Sequence, residues 1–196
     1  MNHSEPATRR LRSSVLVAVV LVSAATVGVL VYQSLPSLSS VARSIDSYVG
    51  GHRGPPGATL FDDENPSVGN LDPGLLAALR EAATDAADDG VELIVNSGWR
   101  SPQYQGQLLR EAVSKYGSEN AAARWVATPY TSAHVAGEAV DIGTEGAAWL
   151  SAHGAAYGLC QIYANEPWHY ELRPDAGELG CPPLYADPTH DPRMQP

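Results

Sequence analysis

Lysine is nearly missing from this chain. Lys115 is the only one among 196 residues, and 12 basic side chains face 22 acidic ones, for a formal charge of -10. So little clustered positive charge excludes a nucleic-acid binder, because neutralising phosphates needs grouped Lys and Arg. Cysteine is almost as scarce, since Cys160 and Cys181 are too few for a disulfide-framework miniprotein or a four-cysteine zinc site. No internal repeat is visible. What the chain does have suits a packed core: 44% apolar residues, with four Trp and nine Tyr, exclude a disordered polymer. The length fits one ordinary domain plus an extra segment.

That extra segment lies at the N-terminus. Arg9, Arg10 and Arg12 against Glu5 give residues 1–35 a local +2, which leaves -12 for residues 36–196. Ser13 to Leu35 then runs for 23 residues without a charge, rich in Val, Leu and Ala. As a helix it would span a hydrocarbon core of roughly 30 Å. The preceding arginines predict residues 1–12 as a cytoplasmic tail, 13–35 as a transmembrane signal-anchor and the remainder as extracytoplasmic. Val22-Ser23-Ala24 also fits a signal-peptide cleavage site, which would make the protein secreted. Apolar residues continue through Val31, past that site, and favour the uncleaved anchor. Both readings export the domain. In an oxidising compartment Cys160 and Cys181, 21 positions apart, are expected to pair as a disulfide, with two free thiols as metal ligands the alternative.

Residues 36–58 read as a flexible stalk, with Gly50-Gly51 and Gly54-Pro55-Pro56-Gly57 punctuating the chain. Asp62, Asp63 and Glu64 form a charge run, read as solvated, with a cation-binding turn as the alternative. Residues 59–196 are then the folded domain. Asp72 as N-cap, Pro73 at the first position and apolar residues at helical spacing predict a helix up to Gly90. Val91 to Val95 reads as a strand. Ser101-Pro102 opens a second helix that Gly117 closes, and Glu119 to Ala127 reads as a third. Strands are expected at Gly137 to Ile142, Leu159 to Tyr163 and Trp168 to Leu172, with a helix from Thr144 to Tyr157. The pattern predicts an α+β domain with a small antiparallel sheet and flanking helices. A Pro-rich tail from Pro174 is expected to wrap the surface, held by the disulfide.

Two of the six histidines stand in unusual company. His134 lies in Ser132-Ala133-His134-Val135-Ala136-Gly137-Glu138-Ala139-Val140-Asp141, and His169 in Glu166-Pro167-Trp168-His169. Two imidazoles and the Asp141 carboxylate form a three-ligand set that leaves one zinc position open for water, as a catalytic site requires. Glu166 could take a proton from that water. In an unbroken strand the offset of seven between His134 and Asp141 puts them on opposite faces, so a bend is needed, and Gly137 tolerates one. Pro167 keeps Glu166 out of helix. The site is thus expected on strand ends and turns. On residue types alone, a core histidine with scattered surface acids is an equal alternative. His153 reads as a packing histidine, His190 as a tail residue, Trp168 as core beside the site, and Tyr163 as sheet packing or cleft wall. Glu138 and Glu145 read as solvated.

The string Ser-x-His-x-x-Gly-x-Ala-x-Asp followed by Glu-x-Trp-His resembles the zinc D-alanyl-D-alanine carboxypeptidases of the VanY type, which share the Hedgehog/DD-peptidase fold with the VanX dipeptidases. Ser97-Gly98-Trp99-Arg100-Ser101 is similar to that family's Ser-Gly-aromatic-Arg-Ser segment, with Gln105 at its glutamine. The match runs from about Asn96 to Leu172. It implies that His134, Asp141 and His169 bind Zn2+ and that Glu166 is the catalytic acid/base. It also implies that Arg100, Gln105 and Ser132 contact substrate. As a permanent positive charge, Arg100 is the candidate for stabilising the oxyanion, with the substrate's terminal carboxylate or a surface acid as its alternative partner. Family members often carry Glu-His-Gln at the first histidine, where this chain has Ala133-His134-Val135.

The expected activity is therefore metal-assisted hydrolysis of the terminal D-Ala-D-Ala bond of peptidoglycan stem peptides. The alternatives are a related cell-wall peptidase (an L,D-carboxypeptidase, an endopeptidase or a D,D-dipeptidase) and a zinc-containing binding domain without catalysis.

Overall fold

Antiparallel pairing organises the described part of the computed structural model, residues 58–194. The expected cytoplasmic tail, membrane segment and stalk, apart from Ala58, lie outside the described residues. Among those described, no helix is long and apolar enough to cross a membrane. In chain order the elements begin with β1 (Ala58–Thr59), α1 (Pro66–Gly69), α2 (Pro73–Asp88), β2 (Ile94–Ser97), α3 (Pro102–Tyr116) and α4 (Glu119–Ala122). There follow α5 (Ala133–Ala136), β3 (Ala139–Ile142), α6 (Thr144–His153), β4 (Leu159–Gln161), β5 (His169–Leu172) and α7 (Ala176–Leu179). A 3-10 turn, Gly154–Tyr157, extends α6, and two more, Pro188–His190 and Pro192–Met194, shape the tail. The sheet order is β1-β2-β3-β5-β4, with every neighbouring pair antiparallel. This is the expected α+β arrangement of a small antiparallel sheet with flanking helices.

Helix α2 shows why the local sequence folds as it does. The Asp72 carboxylate accepts the backbone N–H groups of Gly74 and Leu75 at 2.8 and 3.0 Å, satisfying donors that the first turn leaves unpaired. Leu75, Leu79, Ala82 and Ala86 then form one buried stripe. They pack with Val95, Val140, Ile142, Leu150, Leu159 and Tyr170 into the main core. The Val91 N–H donates to Ala86 O at 2.8 Å, tying that residue to the helix end. The neighbouring strand consequently begins at Ile94 and runs to Ser97, three residues later than the expected start at Val91.

Helix α3 matches its capping signals: Ser101 accepts from the Tyr104 N–H, and Gly117 closes the helix at φ 82°. Helix α4 is shorter than expected, ending at Ala122 rather than Ala127. The Trp125 and Val126 N–H groups both turn back onto Ala122 O, and Ala127 O instead accepts the Gln105 amide at 2.9 Å. The chain is thereby drawn toward the cleft.

The two faces of the sheet have different duties, because successive side chains on a strand alternate. Val140, Ile142 and Tyr170 point into the core. Asp141, His169 and Glu171 project from the other face, and the β3–β5 register sets Asp141 directly opposite His169. The Cys160–Cys181 disulfide is present, with Cα atoms 5.6 Å apart. It fastens the C-terminal tail to β4.

Candidate active site

His134 comes to the site from a one-turn helix rather than from a strand. Ser132 opens α5 and Gly137 ends it at φ 80°, a left-handed conformation that L side chains rarely adopt. A Cβ there would also stand 2.6 Å from Asn70 O. This glycine makes the expected bend and turns the chain from α5 into β3, so that His134 meets Asp141 seven residues on. His134 Nε2 lies 3.3 Å from Asp141 Oδ1, and His169 Nδ1 lies 3.2 Å from the same oxygen. One donor atom from each of the three residues falls within 4.8 Å of the others, which makes a group able to hold a metal ion.

Partners on the far side of each ring set which nitrogen is free. His134 Nδ1 donates to Gly98 O at 2.8 Å, leaving Nε2 to face Asp141. His169 Nε2 donates to Glu171 Oε1 at 3.2 Å, leaving Nδ1 to face Asp141. Gly98 packs its backbone against Ser67, where a Cβ would collide with the Ser67 carbonyl oxygen. The second oxygen of Asp141 accepts Arg100 Nη2 at 2.7 Å. Arg100 also donates to Ser97 Oγ at 2.8 Å and to Gln105 Oε1 at 3.3 Å.

The charges follow from these contacts. Burial alone would push Asp141 up, but His134, His169 and Arg100 hold it well below the usual carboxylate range. Burial and the nearby Arg100 lower His134. Burial opposes charge on His169, yet hydrogen bonds to Asp141 and Glu171 raise it to about 9. Glu166, whose Oε2 lies 3.9 Å from His169 Nδ1, is pushed up to about 7, first by burial and further by Asp141. A carboxyl group tuned to that range both accepts and releases a proton near neutrality.

A cavity of about 220 Å³ reaches these residues, lined by Gln105, Ser132, His134, Glu166, His169 and Tyr163 among others. A second of about 470 Å³, lined by Asn96, Ser97 and Tyr104, shares Arg100, Asp141 and Trp168 with it. Trp168, expected in the core, is instead 40% exposed on the cleft wall, because the turn at Pro167 leaves it ahead of β5. Gln105 is buried and braces both Arg100 and Ala127 O. The Ser132 side chain is buried and makes no capping bond to α5. Tyr163 is buried, with its ring centroid 5.1 Å from that of His169, and serves as both packing and cleft wall.

The other polar residues go elsewhere. His153 stacks on Trp149, His190 meets Asp187, and Glu138 and Glu145 are exposed. Asp63 pairs with Arg80 at the surface. Two residues close to the site carried no motif: Glu171, whose offset of two from His169 puts it on the same strand face, and Arg193, which reaches Glu171 from the tail.

The VanY family model, described as D-alanyl-D-alanine carboxypeptidase, matches residues 69–175. The chain belongs to the VanY family. A D-alanyl-D-alanine carboxypeptidase of Enterococcus faecalis is 34% identical, over 47% of this chain and 44% of its own length, so the match spans less than half of that relative. Among solved structures, a VanY D,D-pentapeptidase from a VanB-type vancomycin resistance cassette, in complex with Zn(II), is 32% identical. That alignment covers 52% of this chain and 72% of the other, with a TM-score of 0.49. The L,D-carboxypeptidase DacB from Streptococcus pneumoniae is 28% identical over 57% of this VanY-family chain and 71% of its own, with a TM-score of 0.47.

Proposed function

We propose that this VanY-family protein is a zinc-dependent D,D-carboxypeptidase that releases the terminal D-Ala of peptidoglycan stem peptides. The observation that carries the reading is the convergence of Glu166 on the two histidines and Asp141 at the floor of an open cleft. A metal held only for structure has no need of a buried carboxyl group beside it whose pKa is pushed up to about 7.

The donor set suits zinc, since two imidazole nitrogens and one carboxylate oxygen are a ligand combination of catalytic zinc sites that leaves a position open. When bound, the ion polarises the scissile carbonyl and acidifies water. The residues of the chain do the rest. Glu166 takes the proton of the attacking water on its carboxylate and passes it to the departing amine. Arg100 keeps Asp141 aimed and presents a permanent positive charge to the cleft, where the developing oxyanion or the terminal carboxylate of the substrate is accommodated. Gln105 holds Arg100 in place, and Ser132 contacts the peptide from the cavity wall. The closely related rivals, an L,D-carboxypeptidase, an endopeptidase and a D,D-dipeptidase, need the same machinery and differ in the bond presented to it. Residues 13–35 anchor the enzyme with its catalytic domain outside the membrane, and the Cys160–Cys181 disulfide suits that oxidising side.

The test is incubation of the zinc-loaded protein with a stem pentapeptide, the tetrapeptide and free D-Ala-D-Ala. The expected outcome is one D-Ala released from pentapeptide, with no release by Glu166→Ala. Cleavage of tetrapeptide alone would reassign the enzyme to L,D-carboxypeptidases, and no product from any substrate would overturn the peptidase reading.

A further inference from the structure

We propose that Arg193, delivered by the C-terminal tail, is a positioning residue for the metal centre, acting through Glu171 on the ring of His169. The inference rests on the zinc-site reading and adds a residue beyond the matched family segment, which ends at 175.

Glu171 is only 1% exposed and sits beneath His169 on the same face of β5. A buried carboxylate needs compensating charge and fixed donors. Two arginines supply them, and their contacts differ. Arg173 reaches only Oε2, at 2.8 Å. Arg193 grips both oxygens, with Nη1 at 2.6 Å from Oε2 and Nη2 at 3.2 Å from Oε1. Oε1 is the oxygen that accepts His169 Nε2–H. The Arg193 fork therefore fixes the plane of the carboxylate that fixes the imidazole. An N–H bond of this kind holds the tautomer with Nδ1 free and makes the ring a better donor.

The tail is secured along its length for this task. The Cys160–Cys181 disulfide begins it, and the Tyr185 backbone pairs with Ile162 O and Ala164 N at 3.0 and 2.8 Å. Asp187 takes Arg124 Nε at 2.8 Å, and Asp191 accepts the Tyr163 hydroxyl at 2.9 Å while also pairing with Arg193. Tyr163 packs on the His169 ring, so the tail reaches this ligand by two routes.

The test compares the full chain with Arg193→Ala, Arg193→Lys, Glu171→Gln and Arg124→Ala, measuring the zinc Kd by chelator competition and the visible spectrum of the Co(II)-substituted protein. Arg193→Ala and Glu171→Gln are expected to weaken zinc roughly 10- to 100-fold, the typical cost of losing a partner behind a ligand. They should alter the Co(II) bands, and the double variant should lose no more than the worse single one. Arg193→Lys, which keeps charge without the fork, should fall between and serves if Arg193→Ala does not fold. Arg124→Ala loosens the tail away from Glu171 and should stay within twofold. Wild-type Kd and spectra in both Arg193 variants, or an equal loss in Arg124→Ala, would overturn the assignment to Arg193. A wild-type protein that binds no zinc would instead sink the site reading itself.

Discussion

Glu166 is the residue on which the proposed chemistry turns. Its carboxyl group is buried and its pKa is pushed up to about 7, while the His169 ring nitrogen lies 3.9 Å away, too far for a hydrogen bond. Glu166→Gln keeps the shape and removes the proton acceptor. It is expected to lower kcat on the order of 10²- to 10⁴-fold, as loss of a general base does, while zinc content stays at one per chain. Metal analysis beside steady-state kinetics checks this, and loss of zinc along with activity would place Glu166 among the ligands instead. The residues of this site were largely legible in the sequence, because His134, Asp141, Glu166 and His169 sit in two short motifs whose residue types suggest a metal. Glu171 was legible in principle from strand alternation. Arg193 was not, since a lone arginine 24 positions from His169 in a Pro-rich tail has no local signal, and only the folded path of that tail brings the two together.

At the scale of elements, helices with strong caps were the most readable. Asp72-Pro73 and Ser101-Pro102 each start a helix at the expected residue, because capping is a contact between near neighbours in sequence. Ends set by contacts beyond the element were less readable: α4 stops early where Gln105 captures Ala127 O, and β2 starts late where the Val91 N–H is tied back to the end of α2. The approach of His134 was half legible, since the need for a bend at Gly137 followed from spacing but the one-turn helix before it did not. Gly137 is therefore the element-scale test. With φ at 80° and Asn70 O 2.6 Å from any Cβ, Gly137→Ala is expected to cost about 1–3 kcal/mol and to displace α5 from β3. Urea unfolding should show the loss. Zinc affinity should fall with it, and a stable variant with normal affinity would show that the bend is not what joins His134 to Asp141.

On the scale of the whole molecule, the charge imbalance acquires a structural sense. Asp141, Glu171, Asp187 and Asp191 are all buried, and Arg100, Arg124, Arg173 and Arg193 meet them. Arginine suits these positions because its planar fork matches a carboxylate and sheds water more readily than an ammonium, which gives the near-absence of lysine a physical context. Asp187 offers the clearest measurement, being completely buried at the start of the 3-10 turn Pro188–His190 in the tail. Burial alone would raise its pKa, but hydrogen bonds from Thr189, Arg124 and His190 hold it well below the ordinary range. A carboxylate depressed by folding contributes stability in full above its unfolded value of about 3.9, and that contribution drains away as the pH falls toward the lower folded value. Asp187→Asn keeps the volume and removes the charge. The variant is expected to be less stable by about 1–3 kcal/mol at pH 7, the worth of hydrogen bonds to a charged group. The gap from wild type should narrow between pH 5 and pH 3, because only the wild type has this contribution to lose. Urea melts at pH 7, 5 and 3 measure it. A gap as wide at pH 3 as at pH 7 would mean that Asp187 fastens the tail by shape alone and not by its charge.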